Sequence, residues 1–334
     1  MIELWTILIA AVTAAACALA GSFLVLRREA LVSEGLAHAV LPGIVVAFVL
    51  THDRTSPLLI VGAAATGLAM ILLVQLIRRT GVVDRDASLG VVFPALFSMG
   101  VLLANAELAD VHFHADCIID GNLSLAVLER VVVGGVDLGP KALWSMGAAL
   151  LVTAAFVVVF FKELQLVTFD AQLAGALGFR PLLLQGVWLA LVAIVATAAF
   201  ETAGSILVVA LMIAPPAAAI LWTDDLVRLL VLSVALGVAS AVVGFFVASG
   251  IDIAPAGPMA TVAGILVLGS LVVAPGQGLL ARRRRSVGAG LELDAQLLRV
   301  RAEASGLQGD ALREQLGWGS GRFERASARG LAQR

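Results

Sequence analysis

Residues 5–26 read WTILIAAVTAAACALAGSFLVL, 22 consecutive positions without a formal charge. About 20 apolar residues in a helix cross the ~30 Å hydrocarbon layer of a bilayer, so this stretch predicts a membrane span. Working outward from it, comparable runs lie at 35–50, 57–77, 87–104, 141–161, 182–200, 205–222, 226–248 and 258–280. Composition agrees: 60 % of the 334 residues are hydrophobic and 14 % are charged, where soluble domains carry about 45–50 % and about 25 %. So little charge could not cover a soluble surface of this size. Cys17 and Cys117 are the only cysteines, which excludes a disulfide scaffold. The expected fold class is all-α: a polytopic transmembrane helical bundle of eight or nine spans with a short soluble helical C-terminal tail.

The net charge of −2 divides unevenly. Residues 1–281 hold 11 basic and 18 acidic residues, a net −7, and residues 282–334 hold 11 and 6, a net +5. Two regions follow, a transmembrane domain over 1–281 and a basic cytoplasmic tail over 282–334. Arginine and lysine collect on the cytoplasmic side of membrane proteins. With nine spans and the N-terminus outside, Arg27–Arg28, Arg78–Arg79 with Arg85, Lys162 with Arg180, Arg228 and Arg282–Arg285 all fall on one side. Eight spans remain open if the first or second is a hairpin that does not cross. Small-residue runs such as 62–67 and 237–244 predict close helix packing.

A charge at the bilayer centre costs about 2.5–3.5 kcal/mol on insertion scales, so ionisable residues within spans are candidates for function. Glu34 and His38 stand four residues apart, on one face of a helix. A carboxylate with an imidazole suits Mn²⁺, Fe²⁺ or Zn²⁺; an intramembrane ion pair, or a buried histidine bonded to a carbonyl, fits the same spacing. Glu201 admits two roles, a pathway residue or a cap for the following helix. In the outer segment, His112, His114 and Asp116 alternate with other residues and share a face if extended. They form either a solvated polar loop or a vestibule that concentrates cations. No H-E-x-x-H, G-x-S-x-G or phosphate loop ending in GK[ST] occurs. The chain is therefore not expected to be an enzyme, and any ATP hydrolysis would belong to a separate partner chain.

Four stretches together carry a family resemblance: GSFLVLRREALVSEGLAHAVLPG at 21–43, HFHADCIIDGNL at 112–123, FDAQLAGALGF at 169–179 and ETAGSILVVALMIAPPAAA at 201–219. Over residues 1–281 the chain resembles the membrane permease subunit of ATP-binding-cassette importers for zinc, manganese or iron. The resemblance implies a multi-pass protein of the bacterial inner membrane. It implies ATP-binding-cassette ATPase subunits, an extracytoplasmic metal-binding protein and a second permease copy or paralogue as partners. Glu34 and His38 match the acid and histidine that bind the ion in the membrane, though the family more often has Asp at the first position. The transported ion is cargo, and no permanently held cofactor is implied. The segments at 112–121 and around Glu201 look closer to the manganese/iron branch, so manganese is the favoured cargo, with zinc or iron as alternatives.

The stretch 169–179 looks like the cytoplasmic helix that docks on the ATPase. Its residues fit that role physically. Asp170 favours the helix start, Leu173, Ala174 and Leu177 are expected to form a small apolar face for a groove, Gly178 belongs to the same docking segment, and Pro181 stops the helix. A helix lying on lipid is the alternative. In the tail, 311–333 weakly resembles the helix-turn-helix part of iron-dependent-repressor-type domains, truncated before any wing. Membrane lipid or a partner is the expected contact of this basic tail, and nucleic acid is disfavoured. The rival functions are a proton-coupled secondary metal transporter, with Glu34 and Glu201 as proton carriers, and a membrane protein whose tail signals.

Overall fold

A computed structural model describes residues 2–52, 56, 58–107, 123, 125–133, 136–275, 278–281, 293–298, 300–302, 313–314, 316 and 319–331. The expected vestibule residues His112, His114 and Asp116 lie outside the described residues, as does the arginine run at 282–285. The chain forms two compact units, Met1–Leu268 and Gly269–Arg334.

Elements follow in the order α1 (Ile2–Leu26), α2 (Leu31–Ala39), α3 (Leu41–Thr51), α4 (Leu58–Arg79), α5 (Arg85–Glu107), β1 (Arg130–Val133), β2 (Val136–Pro140), α6 (Lys141–Val159), α7 (Phe161–Phe169), α8 (Ala171–Ala176), α9 (Pro181–Ala203), α10 (Ser205–Trp222), α11 (Leu226–Ile251), α12 (Ala256–Val273) and α13 (Ser320–Leu331). Counting α2 and α3 as one span, nine helical segments among the described residues are long and apolar enough to cross a membrane. All nine expected spans thus have a helical segment of sufficient length among the described residues.

The first span is the hub. α1 packs against α6, α9, α10 and α11, while α2, α3, α4 and α5 form a second group that meets α9. In lipid, apolar side chains gain little by clustering, so helices associate through small residues and interhelical hydrogen bonds. Both devices are present. A Cβ on Gly43 would lie 2.0 Å from the Gly62 carbonyl oxygen, and one on Gly62 would lie 2.4 Å from that of Gly43. The backbones of α3 and α4 therefore touch, as the small-residue run predicts. Similarly, Gly244 meets the Met259 backbone, and Gly237 meets Ala18. Between α1 and α11, the Ser22 hydroxyl donates to the Ala18 carbonyl at 2.7 Å and lies 3.1 Å from the Ser233 hydroxyl.

Prolines interrupt three spans. Proline has no N–H, so the carbonyl four residues earlier loses its usual intrahelical donor. Pro42 does this to His38, Pro94 to Gly90, and the Pro215–Pro216 pair to Leu211 and Met212. A Cβ on Gly21 would stand 1.8 Å from the Met212 oxygen, so α1 presses directly on that carbonyl.

The hairpin β1–β2 was not expected from the sequence. Its strands pair antiparallel, with Val133 opposite Val136. Asp137 accepts from Gly139 N–H at 2.9 Å and pairs with Arg130, and these contacts hold its carboxyl below the usual carboxylate range. In the second unit, Leu298 and Ala326 are buried with Phe323 and Leu316 against them. Arg322 donates twice to Asp294, at 2.8 and 2.6 Å, and lowers the acid's pKa.

Candidate functional site

The helix α2 begins in a tight turn after α1. Arg28 takes a left-handed conformation, φ 58°, which lets Glu29 N–H bond the Leu24 carbonyl at 2.7 Å and Arg28 N–H bond that of Val25 at 3.0 Å. This six-to-one, five-to-two closure ends α1. Glu34 then falls in the first turn of α2, where a carboxylate is favoured by the helix dipole. The helical segment starts at residue 31, four residues before the expected span, because the charge lies inside the helix rather than before it.

The inward face of α2 consists of Val32, Ser33, Gly35, Leu36, Ala37 and Ala39, all buried. His38 is half-buried and Glu34 is exposed on this protomer. The imidazole sits between two rings of α5: Phe93 stacks on it at 5.9 Å and 27°, and Phe97 meets it edge-on at 5.6 Å and 75°. The two aromatic contacts restrict the orientation of the ring. Gly35 leaves room for Met70 of α4 and Phe93, its absent Cβ being 3.3 Å from the Met70 sulfur. Just beyond His38, α2 gives way to α3 at Val40, whose carbonyl lies 3.4 Å from the Thr66 hydroxyl.

Glu34 and His38 offer two donor groups one helical turn apart. A transition-metal ion takes four to six ligands, and no group of three or more metal-ligating side chains occurs among the described residues. An exposed carboxylate within a span is not left against lipid, so the Glu34 face calls for water or another protein surface.

Glu201 is placed apart from this pair. It ends α9, where the Lys141 ammonium lies 3.7 Å from it and 3.7 Å from Glu129. Sixteen residues separate it from Gln185, about 24 Å along a helix, and Gln185 touches the α1–α2 turn that carries Glu29. Nor does Glu201 cap α10, which starts at Gly204 without a side-chain cap.

The segment 169–179 is a capped helix of its own. The Asp170 carboxylate accepts from Leu173 N–H at 2.9 Å. At the other end Gly178, φ 89°, closes α8, with Phe179 N–H on the Ala174 carbonyl and Gly178 N–H on that of Gly175, both at 3.1 Å. Leu173 and Leu177 are exposed together with Phe169 and Phe179. Ala174 is fully buried, so it belongs to the inner side of the helix and not to the exposed apolar face expected of it.

The family model for the ABC 3 transport family matches residues 2–274. This chain belongs to the ABC 3 transport family. It is 38 % identical over 285 residues, 85 % of this chain and 96 % of the relative, to the manganese transport system membrane protein MntD of Bacillus subtilis. It is 37 % identical over 294 residues, 88 % of this chain and 80 % of the relative, to the zinc transport system membrane protein TroD of Treponema pallidum. The solved structure of PsaBC from Streptococcus pneumoniae in complex with Fab shares its fold, with a TM-score of 0.69 and 24 % identity over 84 % of this chain and 94 % of that one. As an ABC 3 family member with nine candidate spans among the described residues, the chain is a multi-pass protein of the bacterial inner membrane.

Several residues of the site were not singled out in the sequence. Phe93 and Phe97 carry the signal of an i, i+4 aromatic pair around a proline, which reads equally well as ordinary packing. Glu29 is buried, 2 % exposed, between two arginines and the start of a span, and only its position in that turn hinted at a role.

Proposed function

We propose that this ABC 3 family chain is the permease of an ATP-driven importer for a divalent transition metal, with Glu34 and His38 as ion ligands inside the membrane. The observation that carries this is His38, clamped between Phe93 and Phe97 on the helix face it shares with Glu34. A ring of restricted orientation limits the directions in which its nitrogen lone pair points, and the carboxylate one turn away supplies charge. Manganese is the favoured ion: a mixed oxygen and nitrogen set suits it, and the manganese-named relative matches over nearly its whole length. The zinc-named relative is almost as similar, so uptake must be measured with Mn²⁺, Zn²⁺ and Fe²⁺ in competition. Cells lacking the chain should lose Mn²⁺ uptake first; unchanged uptake of all three ions would overturn the proposal. The proton-coupled alternative loses ground to family membership and to the pairing of Glu201 with Lys141.

The exposed Glu34 face is where a second permease copy or paralogue would complete the coordination. An extracytoplasmic metal-binding protein would deliver the ion, and ATPase subunits would dock on α8. There, Leu173, Leu177, Phe169 and Phe179 form an apolar knob suited to a groove on another protein. Leu173→Asp with Leu177→Asp should abolish ATPase co-purification while the permease stays in the membrane, since both side chains point outward. Ala174→Asp should instead lower the amount of folded permease, because it buries a charge. Retained ATPase binding in the Leu double variant would remove α8 from the docking role.

The basic tail is proposed to be peripheral to transport. Truncation after Arg285 should leave Mn²⁺ uptake within about twofold of the full chain, the arginine run being kept as topological anchor. Complete loss of uptake with the truncated chain still in the membrane would show a direct role.

A further inference from the structure

We infer that the hydrogen bond between Gln185 and Glu29 is the linkage through which movement of α8 reaches the helix that carries Glu34 and His38. It rests on the proposed reading, in which α8 meets the ATPase and α2 holds the ion.

The linkage crosses a long stretch of sequence. Gln185 Nε2 donates to Glu29 Oε1 at 2.9 Å, although the residues are 156 positions apart. Glu29 also receives the Arg27 guanidinium at 3.6 Å and is 2 % exposed. A hydrogen bond to a buried carboxylate is stronger than one between neutral groups and is not readily exchanged for water.

Each end of the bond is fixed to one of the two elements. On the α8 side the chain runs through the glycine closure at Gly178 to Pro181, the first residue of α9, and Gln185 lies in the second turn. Proline at that position holds the helix start rigidly. On the other side Glu29 belongs to the α1–α2 turn, and its carbonyl accepts from Val32 N–H at 3.0 Å, within the first turn of α2. Glu34 follows five residues later. A displacement of the start of α9 therefore pulls on the start of α2 through this side-chain pair. Leu36 of α2 and Ala193 of α9 meet about Gly67, and apolar contacts of this kind can slide.

A second ion station at Glu29 is the competing use of a buried carboxylate beside a permeation path. The surroundings argue against it. Arg27 is paired to the acid, and Arg78 lines the adjoining cavity of about 20 Å³ together with Gln75 and Gln185. Two guanidinium groups repel a divalent cation, and the space holds about one water molecule. Glu29 is a positioning residue.

The test uses the permease assembled with its ATPase. A cysteine replaces Leu31, an exposed residue of α2, in a chain with Cys17 and Cys117 changed to alanine, and its rate of modification by a thiol reagent is read with and without ATP. In the parent the rate should change on ATP binding. With Gln185→Leu the change should vanish and uptake should fall roughly tenfold or more, while ATP hydrolysis continues. Gln185→Glu should be as harmful, since it sets two carboxylates against each other, and adding Glu29→Gln should restore both readouts by re-forming the bond with donor and acceptor exchanged. If Gln185→Leu does not insert, Gln185→Asn, one methylene shorter, should give the same loss. A nucleotide-dependent labelling change that persists in Gln185→Leu, or a swap that restores nothing at normal protein levels, would overturn the linkage. Labelling that depends on Gln185 in a transporter moving no metal would support it and overturn the cargo instead.

Discussion

His38→Ala should reduce metal uptake by more than about a hundredfold while leaving the amount of protein and its ATPase assembly unchanged. Loss of groups that merely orient a ligand costs about 10- to 100-fold in metal affinity or activity, and removal of the ligand itself should exceed that. The substitution adds no charge, and the cavity it leaves opens onto a half-buried face between Phe93 and Phe97. Glu34→Gln should have a comparable effect, since it preserves size and removes the negative charge that neutralises the cation. Glu34→Asp should be milder, retaining charge with a shorter reach. A purely structural ion pair predicts the opposite pattern: either single change would destabilise the protein, and replacing both by apolar residues would restore it. Radioactive Mn²⁺ uptake, read beside membrane protein levels, separates the two. Wild-type uptake by His38→Ala would remove the pair from the transport site.

Gly43→Ala should be among the most disruptive single methyl additions in the protein. The added Cβ would stand 2.0 Å from the Gly62 oxygen and 2.5 Å from its carbonyl carbon, and neither atom can rotate away because both are backbone. Overpacking a core usually costs about 1–3 kcal/mol; a clash with backbone at this distance forces α3 and α4 apart and should reach the upper end. The site would also suffer, because α3 continues from α2 directly after His38. Gly147→Ala is the control. Nothing lies within 4 Å of its added Cβ, and alanine gains up to about 1 kcal/mol of helix propensity over glycine. Thermal unfolding of the two purified variants should shift in opposite directions. Equal midpoints would show that the glycine contact does not set the packing.

The spans were legible because lipid demands long apolar runs and arginines punctuate them. The order of the four family stretches located Glu34 and His38. Where the reading failed, the reason was local. The apolar character of Leu173, Ala174 and Leu177 suggests one face, yet successive helical residues turn by about 100°, which carries Ala174 away from Leu173 and into the interior. The hairpin at 130–140 was passed over although its valines flank Gly134–Gly135, a strong two-residue turn signal; an apolar chain makes every valine look like part of a span. The bond from Gln185 to Glu29 has no local signature at all, since nothing in either neighbourhood points 156 residues away.

The proline interruptions have a mechanical consequence. Bending a complete α-helix means stretching or breaking hydrogen bonds, and that resistance keeps most spans stiff. At Pro42 and Pro94 the bond that would resist was never made, so flexing there is cheap. Pro94 lies in the helix whose rings meet His38, and Pro42 follows His38 by four residues at the start of α3. Part of the bundle's compliance thus lies beside the imidazole, and another part at Pro215–Pro216. A small push delivered at the Arg-rich end would be expressed in part as a change in the angle at which the ring and the carboxylate face each other. Grip and release could then alternate with little of the bundle having to repack.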